Sequence, residues 1–475
     1  MSGLHEECGV VGVIGDPEAA NLVYLSLYAL QHRGQEASGI VTIDQENRFH
    51  AHKDFGLVRD AFSKEHIDKL RGSAGIGHNR YSTHGGKMIQ NVQPFFFNTA
   101  IGSIAVAQNG NLTNANELRS KLEGLGSIFQ STSDTEVFTH LLARGRSQDF
   151  LGRIFEVMKE VKGAYSLVLL TQDRLYAVRD PFGFRPLVMG RKGSAVIMAS
   201  ETCALDLIGA EFEREIQAGE VVEAFPDGFV RSHFPIEKKA QGFCSFEPIY
   251  FARPDSQIHE EHIYELRKKM GAVLAQESHV EADVVIAVPD SGVPMALGYA
   301  EETKLPVELG LVRNHYIGRT FIEPSQSIRD FGVKLKLNPI TSVLKGRRVV
   351  VVDDSLVRGT TSVKILRMIR QAGAKEVHFR LGSPPITHSC YFGVDTPNRE
   401  RLLAAQRDID EMRHFIGADS LAFLSLDGLK NALGKRHNTY CYGCFSGDYP
   451  EDICEQVPEQ PTDKIGGPGF QSGLN

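Results

Sequence analysis

Short apolar runs dominate the first half of the chain, and they predict strands with few helices between them. The run Cys8–Gly15 is typical of a buried strand. Asp16-Pro17 suits the start of a helix, whose apolar positions recur at helical spacing until Gly34 offers a stop. Further strands are predicted in SGIVTID, GIGHNRYST, SIAVAQNG, AYSLVLLT and AVIMASE. Because strands and helices do not alternate regularly here, we expect a sandwich of sheets covered by helices.

Beyond about Phe246 the pattern changes to unbroken runs of Val and Ile that alternate with helical patterns. Strands are predicted in ADVVIAVPDSG, RRVVVVDDS and EVHFRLGSPP, and a helix in SVKILRMIRQAG with Gly373 as its stop. Apolar runs without polar alternation are typical of parallel strands that are buried on both faces. We therefore expect an α/β doubly wound domain, whose ligands bind at the carboxyl ends of the strands.

Composition and charge narrow the class of protein. The 475 residues are 42% hydrophobic and 23% charged, which is ordinary for a globular chain of two domains. A net charge of −7 does not favour nucleic-acid binding, and no apolar run reaches the roughly 18 residues of a membrane span. Seven widely spaced cysteines and an N-terminus without an apolar core do not indicate secretion. We expect a cytoplasmic protein.

The segment VVVVDDSLVRGTTS has the strongest chemical signature in the second half. Asp353 and Asp354 end a buried strand, where paired carboxylates can hold ribose hydroxyls and a hydrated Mg²⁺. The loop Ser355–Thr361 then presents backbone N–H groups at a helix N-terminus, which is an anion site suited to a 5′-phosphate. Helix capping is the alternative interpretation, but a cap requires one Asp and not the whole pattern.

This segment resembles the phosphoribosylpyrophosphate-binding motif of type I phosphoribosyltransferases. The resemblance implies that Pro289–Gly292 forms the pyrophosphate loop and that Ser291 joins Asp353 and Asp354 at the Mg²⁺ site. It also implies a set of substrate-binding residues in the loop after the strand, namely Ser355, Arg358, Gly359, Thr360 and Thr361.

The stretch Arg313–Asn338 is rich in basic residues, Lys336 among them. Its charges alone could belong to a solvated surface. In the phosphoribosyltransferase family this stretch is a flexible lid over pyrophosphate, and its closure would keep water from the ribosyl transition state. The resemblance therefore implies that Lys336 binds substrate.

Cys8 lies near the N-terminus, and the residues before it look like a removable leader. If cleavage makes Cys8 the first residue, its α-amine, with a pKa near 8, can accept the proton of its own thiol. A cysteine near a terminus is weak support for this chemistry on its own. However, five segments in order resemble the N-terminal-nucleophile (Ntn) class II glutamine amidotransferases: CGVVGV, LQHRGQEASGI, GIGHNRYSTHG, QNGNLTN and STSDTE.

This second resemblance implies a role for each matching residue. Cys8 would be the nucleophile, and Arg80 would pair with the α-carboxylate of glutamine, for which a guanidinium is geometrically suited. Asp134 would hold the α-ammonium group of the substrate. The side-chain amide of Asn109 and the backbone N–H of Gly110 would form the oxyanion hole.

The cysteines near the C-terminus suggest a metal site. Cys441 and Cys444 form a CxxC unit, which could be redox-active, zinc-binding or incidental, with zinc favoured by the pattern alone. Cys244 and Cys390 could complete a four-thiolate set, which suits zinc or an iron–sulfur cluster. Glutaminase and phosphoribosyltransferase motifs on one chain resemble the glutamine phosphoribosylpyrophosphate amidotransferases. One subclass of that family combines a cleaved leader with a structural [4Fe–4S] cluster at these four positions, so the resemblance implies a cluster.

With a glutaminase half followed by a phosphoribosyltransferase half, the chain resembles the glutamine phosphoribosylpyrophosphate amidotransferase family. The implied fold is an α+β Ntn-hydrolase sandwich followed by an α/β type I phosphoribosyltransferase domain. The implied divisions of the chain are a leader 1–7, a glutaminase domain 8–235, a phosphoribosyltransferase domain 245–454 with the cluster ligands, and a disordered tail 455–475. The segment YFARPDS, at the junction, is a candidate part of the family's ammonia channel.

The family resemblance also implies substrates, partners and regulation. Glutamine and phosphoribosylpyrophosphate would give 5-phosphoribosylamine, glutamate and pyrophosphate, which begins purine synthesis. Inhibition by AMP, GMP or ADP and a homotetramer are expected on the same ground. One alternative is a glucosamine-6-phosphate synthase, which shares the glutaminase half but lacks a motif like DDSLVRGTT. Another is a purine-sensing regulator, which would need a nucleic-acid-binding domain and would lack Cys8.

Overall fold

The structure is a computed structural model that describes residues 8–81, 88–237, 239, 242–314 and 337–453. Several expectations from the sequence lie outside these residues: the leader 1–7, Lys336 with most of the predicted lid, and the tail 455–475. None of the helices in the described part of the chain combines the length and apolarity needed to cross a bilayer.

Two antiparallel sheets form the first domain. One sheet has the strand order β11-β9-β10-β1-β4-β2-β3, and the other has the order β13-β12-β8-β7-β6-β5. The strands are β1 (Gly9–Ile14), β2 (Ala37–Ile43), β3 (Phe49–Phe55), β4 (Ala74–Arg80), β5 (Phe95–Thr99), β6 (Gly102–Leu112), β7 (Gly163–Leu170), β8 (Leu175–Arg179), β9 (Val188–Lys192), β10 (Ala195–Ala199), β11 (Glu211–Glu215), β12 (Val221–Ala224) and β13 (Val230–His233).

Helices cover the outer faces of both sheets and complete four layers. In β1, Val10 and Ile14 pack between the sheets, whereas Val11 and Val13 pack under outer helices, because successive side chains of a strand point to opposite faces. A third cluster packs helices against the far side of the second sheet. The helices are Ala19–Ala29, Val58–Ala61, Lys64–Lys69, Ala115–Gly124, Thr135–Arg144, Phe150–Glu160 and Thr202–Ile208, with a 3₁₀ turn at Ile89–Asn91.

The first helix is shorter than the sequence predicts. It begins at Ala19, because the Asp16 carboxylate accepts the Glu18 N–H at 2.8 Å and forms a separate turn before the helix. It ends at Ala29, before the predicted stop at Gly34. The absence of a side chain at Gly34 serves another purpose: a Cβ there would lie 2.7 Å from the backbone of Asn79. The sequence prediction of this stop is therefore wrong.

A four-stranded parallel sheet with the order β17-β20-β21-β22 forms the centre of the second domain. The strands here are β14 (Phe243–Cys244), β15 (Gln257–Ile258), β16 (Glu261–His262), β17 (Val284–Ala287), β18 (Leu311–Arg313), β19 (Leu337–Pro339), β20 (Arg348–Asp353), β21 (Glu376–Leu381), β22 (Ser420–Phe423) and β23 (Tyr440–Cys441). Smaller two-stranded sheets pair β14 with β23, β15 with β16 and β18 with β19.

Helices pack on both faces of the parallel sheet. Val350 and Val352 of β20 pack on one face, and Val349 and Val351 pack on the other, which explains the unbroken apolar run. The helices are Ile263–Glu277, Val293–Thr303, Thr341–Leu344, Thr360–Gln371, Leu403–Gln406, Ile409–Ile416, Leu426–Leu433 and Gly443–Ser446, with a π-helix at Glu247–Phe251 and 3₁₀ turns at Arg399–Arg401 and Gly434–Thr439. The domain is doubly wound, as the sequence predicts.

Candidate active sites

Cys8 lies at the start of the central strand β1, at one edge of the sandwich. Gly9 pairs with Asn79 of β4, so this antiparallel register continues to Cys8 beside Arg80. The Cys8 backbone has a φ of 58°, which is uncommon for a residue with a side chain. Its carbonyl oxygen accepts a hydrogen bond from Nε of Arg33 at 3.4 Å. Two predicted site residues, Cys8 and Arg80, are thus neighbours.

Arg80 and Asp134 are the residues expected to bind the two charged groups of glutamine. Arg80 is buried at the end of β4, with Nη1 4.0 Å from Oε1 of Glu36. Asp134 precedes the helix Thr135–Arg144, and its Oδ2 accepts the backbone N–H of Leu112 at 3.0 Å. The hydrogen bond from Leu112 holds Asp134 at the end of β6.

The predicted oxyanion residues lie on β6, in the other sheet. Asn109 is fully buried, and both polar atoms of its amide lack a hydrogen-bond partner among the described residues. Gly110 has a φ of 146°, and a Cβ there would lie 2.1 Å from the carbonyl oxygen of Ala164. A buried amide without partners is costly unless a ligand satisfies it, so Asn109 has the features of a binding group.

His78 connects the two sheets next to these residues. Its Nε2 lies 3.1 Å from the carbonyl oxygen of Gln108, so β4 and β6 approach each other here. Burial, and to a lesser extent the charge of Arg80, lower the pKa of His78 to about 3. His78 is therefore neutral at physiological pH. The sequence motif GHNR contained this residue without indicating its role.

The paired acids of the second domain lie at the carboxyl end of β20, as predicted. The Ser291 hydroxyl donates to one oxygen of the Asp354 carboxylate, and the Ser355 hydroxyl donates to the other at 2.5 Å. Burial, followed by the charge of Asp354, raises the pKa of Asp353 well above its usual range. The buried carboxylate of Asp354, the half-buried carboxylate of Asp353 and the Ser291 hydroxyl form a donor set that suits Mg²⁺. Ser291, Asp353 and Asp354 therefore meet in one place.

Two loops meet around these acids. The Val288 N–H donates to the Val352 carbonyl at 2.8 Å and joins the predicted pyrophosphate loop to β20. In that loop, Asp290 forms an ion pair with Arg313.

On the other side of the acids, the predicted phosphate loop leads into the helix Thr360–Gln371. Gly359 has a φ of 74°, and a Cβ there would lie 2.9 Å from Leu403 and 3.0 Å from Phe415. Nε of Arg358 is buried without a partner among the described residues. Thr360 and Thr361 open the helix, whose N-terminus is an anion site. The left-handed backbone conformation therefore favours glycine at position 359.

The four cysteines proposed as metal ligands line one cavity. Cys244 of β14 and Cys441 of β23 are paired in the parallel register, and Cys390 and Cys444 complete the lining. The Cys390 sulfur also accepts the Phe392 N–H at 3.3 Å. Within the described residues, no three His, Cys, Asp or Glu side chains are arranged to hold a single metal ion. The four thiols surround one cavity at the junction of the domains.

The electrostatics of this cavity favour neutral thiols in the protein alone. Burial raises the pKa of Cys441 to about 12, and it raises the pKa of Cys244 and Cys444 as well. The neighbouring thiols add to the rise in each case. A cationic group bound between the sulfurs would reverse this preference, because a metal stabilises thiolates. The chemistry of the donor set fits a thiolate-bound metal group.

A group of buried charges lies at the domain junction and was not predicted from the sequence. Arg33 forms ion pairs with Glu201 and Glu247, and Arg185 forms one with Glu247. All four side chains are at most 1% exposed. Charged residues are rarely buried unless they are paired. The pairing joins positions far apart in the chain, so no local pattern could have indicated it.

Comparison with known proteins matches each half of the chain to a protein family. Residues 78–207 match the family described as "Glutamine amidotransferase domain", and residues 257–381 match the family described as "Phosphoribosyl transferase domain". Together with the four-layered sandwich and the parallel sheet, these matches define a two-domain class: a glutamine amidotransferase domain followed by a phosphoribosyltransferase domain. The fold class predicted from the sequence is confirmed.

Named relatives match nearly the whole chain. Amidophosphoribosyltransferase 1, chloroplastic, from Arabidopsis thaliana is 57% identical over 94% of this chain and 79% of the relative. Amidophosphoribosyltransferase from Bacillus subtilis is 46% identical over 96% of this chain and 97% of the relative. A solved structure of glutamine phosphoribosylpyrophosphate amidotransferase from B. subtilis, complexed with ADP and GMP, has a TM-score of 0.89 at 46% identity and covers 94% of this chain and 98% of that one.

The chain belongs to the amidophosphoribosyltransferase family, the enzymes of the glutamine-dependent first step of purine biosynthesis. The family and the enzyme class predicted from the sequence are confirmed.

Proposed function

We propose that the protein releases ammonia from glutamine at Cys8 and transfers it to C1 of phosphoribosylpyrophosphate. The products are 5-phosphoribosylamine, glutamate and pyrophosphate. One observation carries this proposal: a single chain holds Cys8 beside Arg80 in one domain and the acid pair Asp353 and Asp354 in the other. We assign the glutaminase domain to residues 8–235 and the phosphoribosyltransferase domain to residues 245–454.

At the first site, the Cys8 sulfur attacks the amide carbon of glutamine and a glutamyl thioester forms. The terminal α-amine takes the thiol proton and passes it to the departing nitrogen, so ammonia leaves. Water then cleaves the thioester and releases glutamate. Arg80 and Asp134 hold the charged groups of glutamine, and Asn109 with Gly110 stabilise the negative oxygen that develops during attack.

At the second site, the nitrogen lone pair of ammonia forms a bond to C1 as the bond from C1 to the pyrophosphate oxygen breaks. The ammonium product loses one proton, and pyrophosphate leaves with the electron pair. Ser291, Asp353 and Asp354 would hold Mg²⁺, which supplies positive charge to the leaving pyrophosphate. The loop from Ser355 to Thr361, with Arg358, binds the 5′-phosphate, and Lys336 is proposed to contact the substrate from the lid.

The proposed chemistry requires cleavage of the leader 1–7, so that Cys8 has a free α-amine. Mass spectrometry of active enzyme should show a chain that begins at Cys8. Active protein with residues 1–7 still attached would contradict the proposal, because its Cys8 nitrogen would belong to a peptide bond.

We propose a [4Fe–4S] cluster bound by Cys244, Cys390, Cys441 and Cys444, in a structural role that ties β23 to β14. The convergence of four thiols on one cavity supports it. Zinc is the alternative that four thiolates allow by their chemistry, although the described side chains are not arranged around a single ion. Protein purified without oxygen should be brown and contain about four iron atoms per chain. Stoichiometric zinc in place of iron would contradict the cluster.

We further propose that purine nucleotides, among them AMP, GMP and ADP, inhibit the enzyme and that it forms a homotetramer. The bound ADP and GMP of the B. subtilis structure support nucleotide binding. Initial rates with and without each nucleotide test the inhibition, and sedimentation tests the tetramer. We place the protein in the cytoplasm, because its seven cysteines do not have the dense spacing of a secreted disulfide framework.

An assay of pyrophosphate release tests the proposed function. Release that requires both glutamine and phosphoribosylpyrophosphate, with glutamate formed in equal amount, is the expected result. Glucosamine-6-phosphate synthase would form glutamate without pyrophosphate, and a regulator without catalysis would form neither. Either of those two outcomes would contradict the proposal.

A further inference from the structure

Four buried charges lie where the two domains meet, and they form one connected group. Arg33 follows the helix Ala19–Ala29, and Glu201 precedes the helix Thr202–Ile208, both in the first domain. Glu247 begins the π-helix at the junction, and Arg185 lies between β8 and β9. Charges buried to this degree are costly unless each one is paired. The pairing therefore constrains the positions of all four side chains.

Glu247 is the shared acceptor of this group. Nη2 of Arg33 donates to its Oε1 at 2.7 Å, and Nη1 of Arg33 donates to its Oε2 at 3.1 Å. Nη1 of Arg185 also donates to Oε1, at 3.0 Å. A two-pronged contact of this kind fixes the plane of a guanidinium as well as its position. Glu247 therefore orients Arg33.

Another donor of Arg33 contacts the backbone of Cys8. Its Nε donates to the carbonyl oxygen of Cys8 at 3.4 Å. If cleavage makes Cys8 the first residue, no preceding peptide holds it. Contacts of its carbonyl oxygen then help to set the directions of its amine and thiol, because they still hold its backbone. Arg33 makes one such contact, so the orientation of its guanidinium affects the direction in which the Cys8 thiol points.

Arg185 extends the connection into the second domain. Its Nε donates to the Phe392 carbonyl at 3.2 Å, and its Nη2 donates to the Gly393 carbonyl. Nearby, Nδ2 of Asn111 donates to the Tyr391 carbonyl at 2.9 Å. A displacement of the segment 391–393 would therefore move Arg185, and through its ion pair with Glu247 it would also move Arg33.

We propose that Glu247 is a positioning residue for the glutaminase reaction. Through Arg33 it sets the orientation of Cys8, and through Arg185 it makes that orientation depend on contact with the second domain. The inference rests on the proposed role of Cys8 as a terminal nucleophile. It assigns no contact between Glu247 and either substrate.

The variant Glu247→Gln tests the inference, because glutamine keeps the size of the side chain and removes its charge and one acceptor. We expect glutaminase kcat to fall by on the order of 10²-fold, since a misplaced nucleophile has an effect of that size. The KM for glutamine should stay within about twofold, because Arg80 and Asp134 remain in place. Ammonia-dependent pyrophosphate release should be unchanged.

A matched control distinguishes positioning from loss of a buried ion pair. Glu220 has a side chain that is 1% exposed and pairs with Arg214 at 2.7 Å in the first domain. Glu220→Gln should keep the wild-type glutaminase kcat. If Glu247→Gln does not fold, Arg33→Lys is the second variant, and it should show the same fall in kcat at unchanged KM.

Two results would overturn the inference while the proposed function stands. One is a wild-type glutaminase kcat in Glu247→Gln. The other is an equal fall in the glutamine-dependent and ammonia-dependent rates, which is what a merely structural role predicts. A wild-type protein that forms no glutamate from glutamine would instead overturn the proposed function, and this inference with it.

Discussion

At the scale of single residues, the candidate glutaminase site contains a buried amide that no described residue satisfies. The amide of Asn109 is buried between the sheets without a hydrogen-bond partner among the described residues. Such a group lowers stability unless it serves a ligand. The motif QNGN predicted the residue, but a turn could have the same letters. Its burial in the middle of β6 could only come from the structure.

Asn109→Ala tests this residue directly. If its amide stabilises the oxyanion, glutaminase kcat should fall by about 10² to 10³-fold with little change in KM, because the contact exists only in the transition state. Steady-state release of glutamate measures both constants. Asn98→Ala, an exposed asparagine on the neighbouring strand β5, should leave them unchanged. A rise in KM without a fall in kcat would show that Asn109 binds the ground state instead.

Gly359 allows a second test at this scale. A side chain there must adopt a φ of 74° and approach Leu403 to 2.9 Å. The backbone strain alone costs about 1 kcal/mol. Gly359→Ala should therefore raise the KM for phosphoribosylpyrophosphate by roughly tenfold and leave glutaminase activity unaffected.

Gly346→Ala is the matched control for Gly359→Ala. Gly346 has a φ of 76°, but a Cβ there would contact nothing within 4 Å. The control variant shares the backbone strain and lies away from the phosphate loop, so its KM should equal that of the wild type. Equal KM values in both variants would show that the loop does not bind the phosphate.

At the scale of elements, apolar patterns predicted the strands better than they predicted helix ends. The runs in β1, β7 and β20 were recognisable because burial on one or both faces dictates their composition. The start of the first helix was misplaced because Asp16 caps a preceding turn, which is a local choice that the same residues permit. Gly34 was misread because its function is close packing against β4.

His78 on β4 makes stability depend on pH. Its pKa is about 3 in the folded protein and 6.5 in its ordinary state, because burial disfavours the imidazolium. Between these values the unfolded chain binds a proton that the folded protein does not. His78 should therefore lower the free energy of unfolding by about 1.4 kcal/mol for each pH unit below 6.5, with no contribution above that pH.

Urea unfolding at pH 5 and pH 7.5 measures this effect. His78→Asn should lose less stability than the wild type on acidification. His437→Asn, which removes an exposed histidine, should follow the wild type. If His78→Asn and the wild type lose the same free energy between the two pH values, His78 does not stay neutral in the fold.

At the scale of the whole molecule, the sequence predicted two domains and their order, and the comparisons confirm the family. It did not predict how the domains meet. The junction depends on Arg33, Arg185 and Glu247, which come from three separate segments and form one buried group. Long-range pairing of this kind leaves no periodic pattern in a sequence. The four cysteines were grouped by resemblance, and their shared cavity lies at the same junction.

In the proposed mechanism, the first domain liberates nitrogen that the second domain consumes. Pyrophosphate release by Cys8→Ala, with either glutamine or an ammonium salt as the nitrogen donor, tests this mechanism. We expect the glutamine-dependent rate to be lost and the ammonia-dependent rate to be kept. Glutamine-dependent release by this variant would contradict the mechanism, as would loss of both rates in a protein that remains folded.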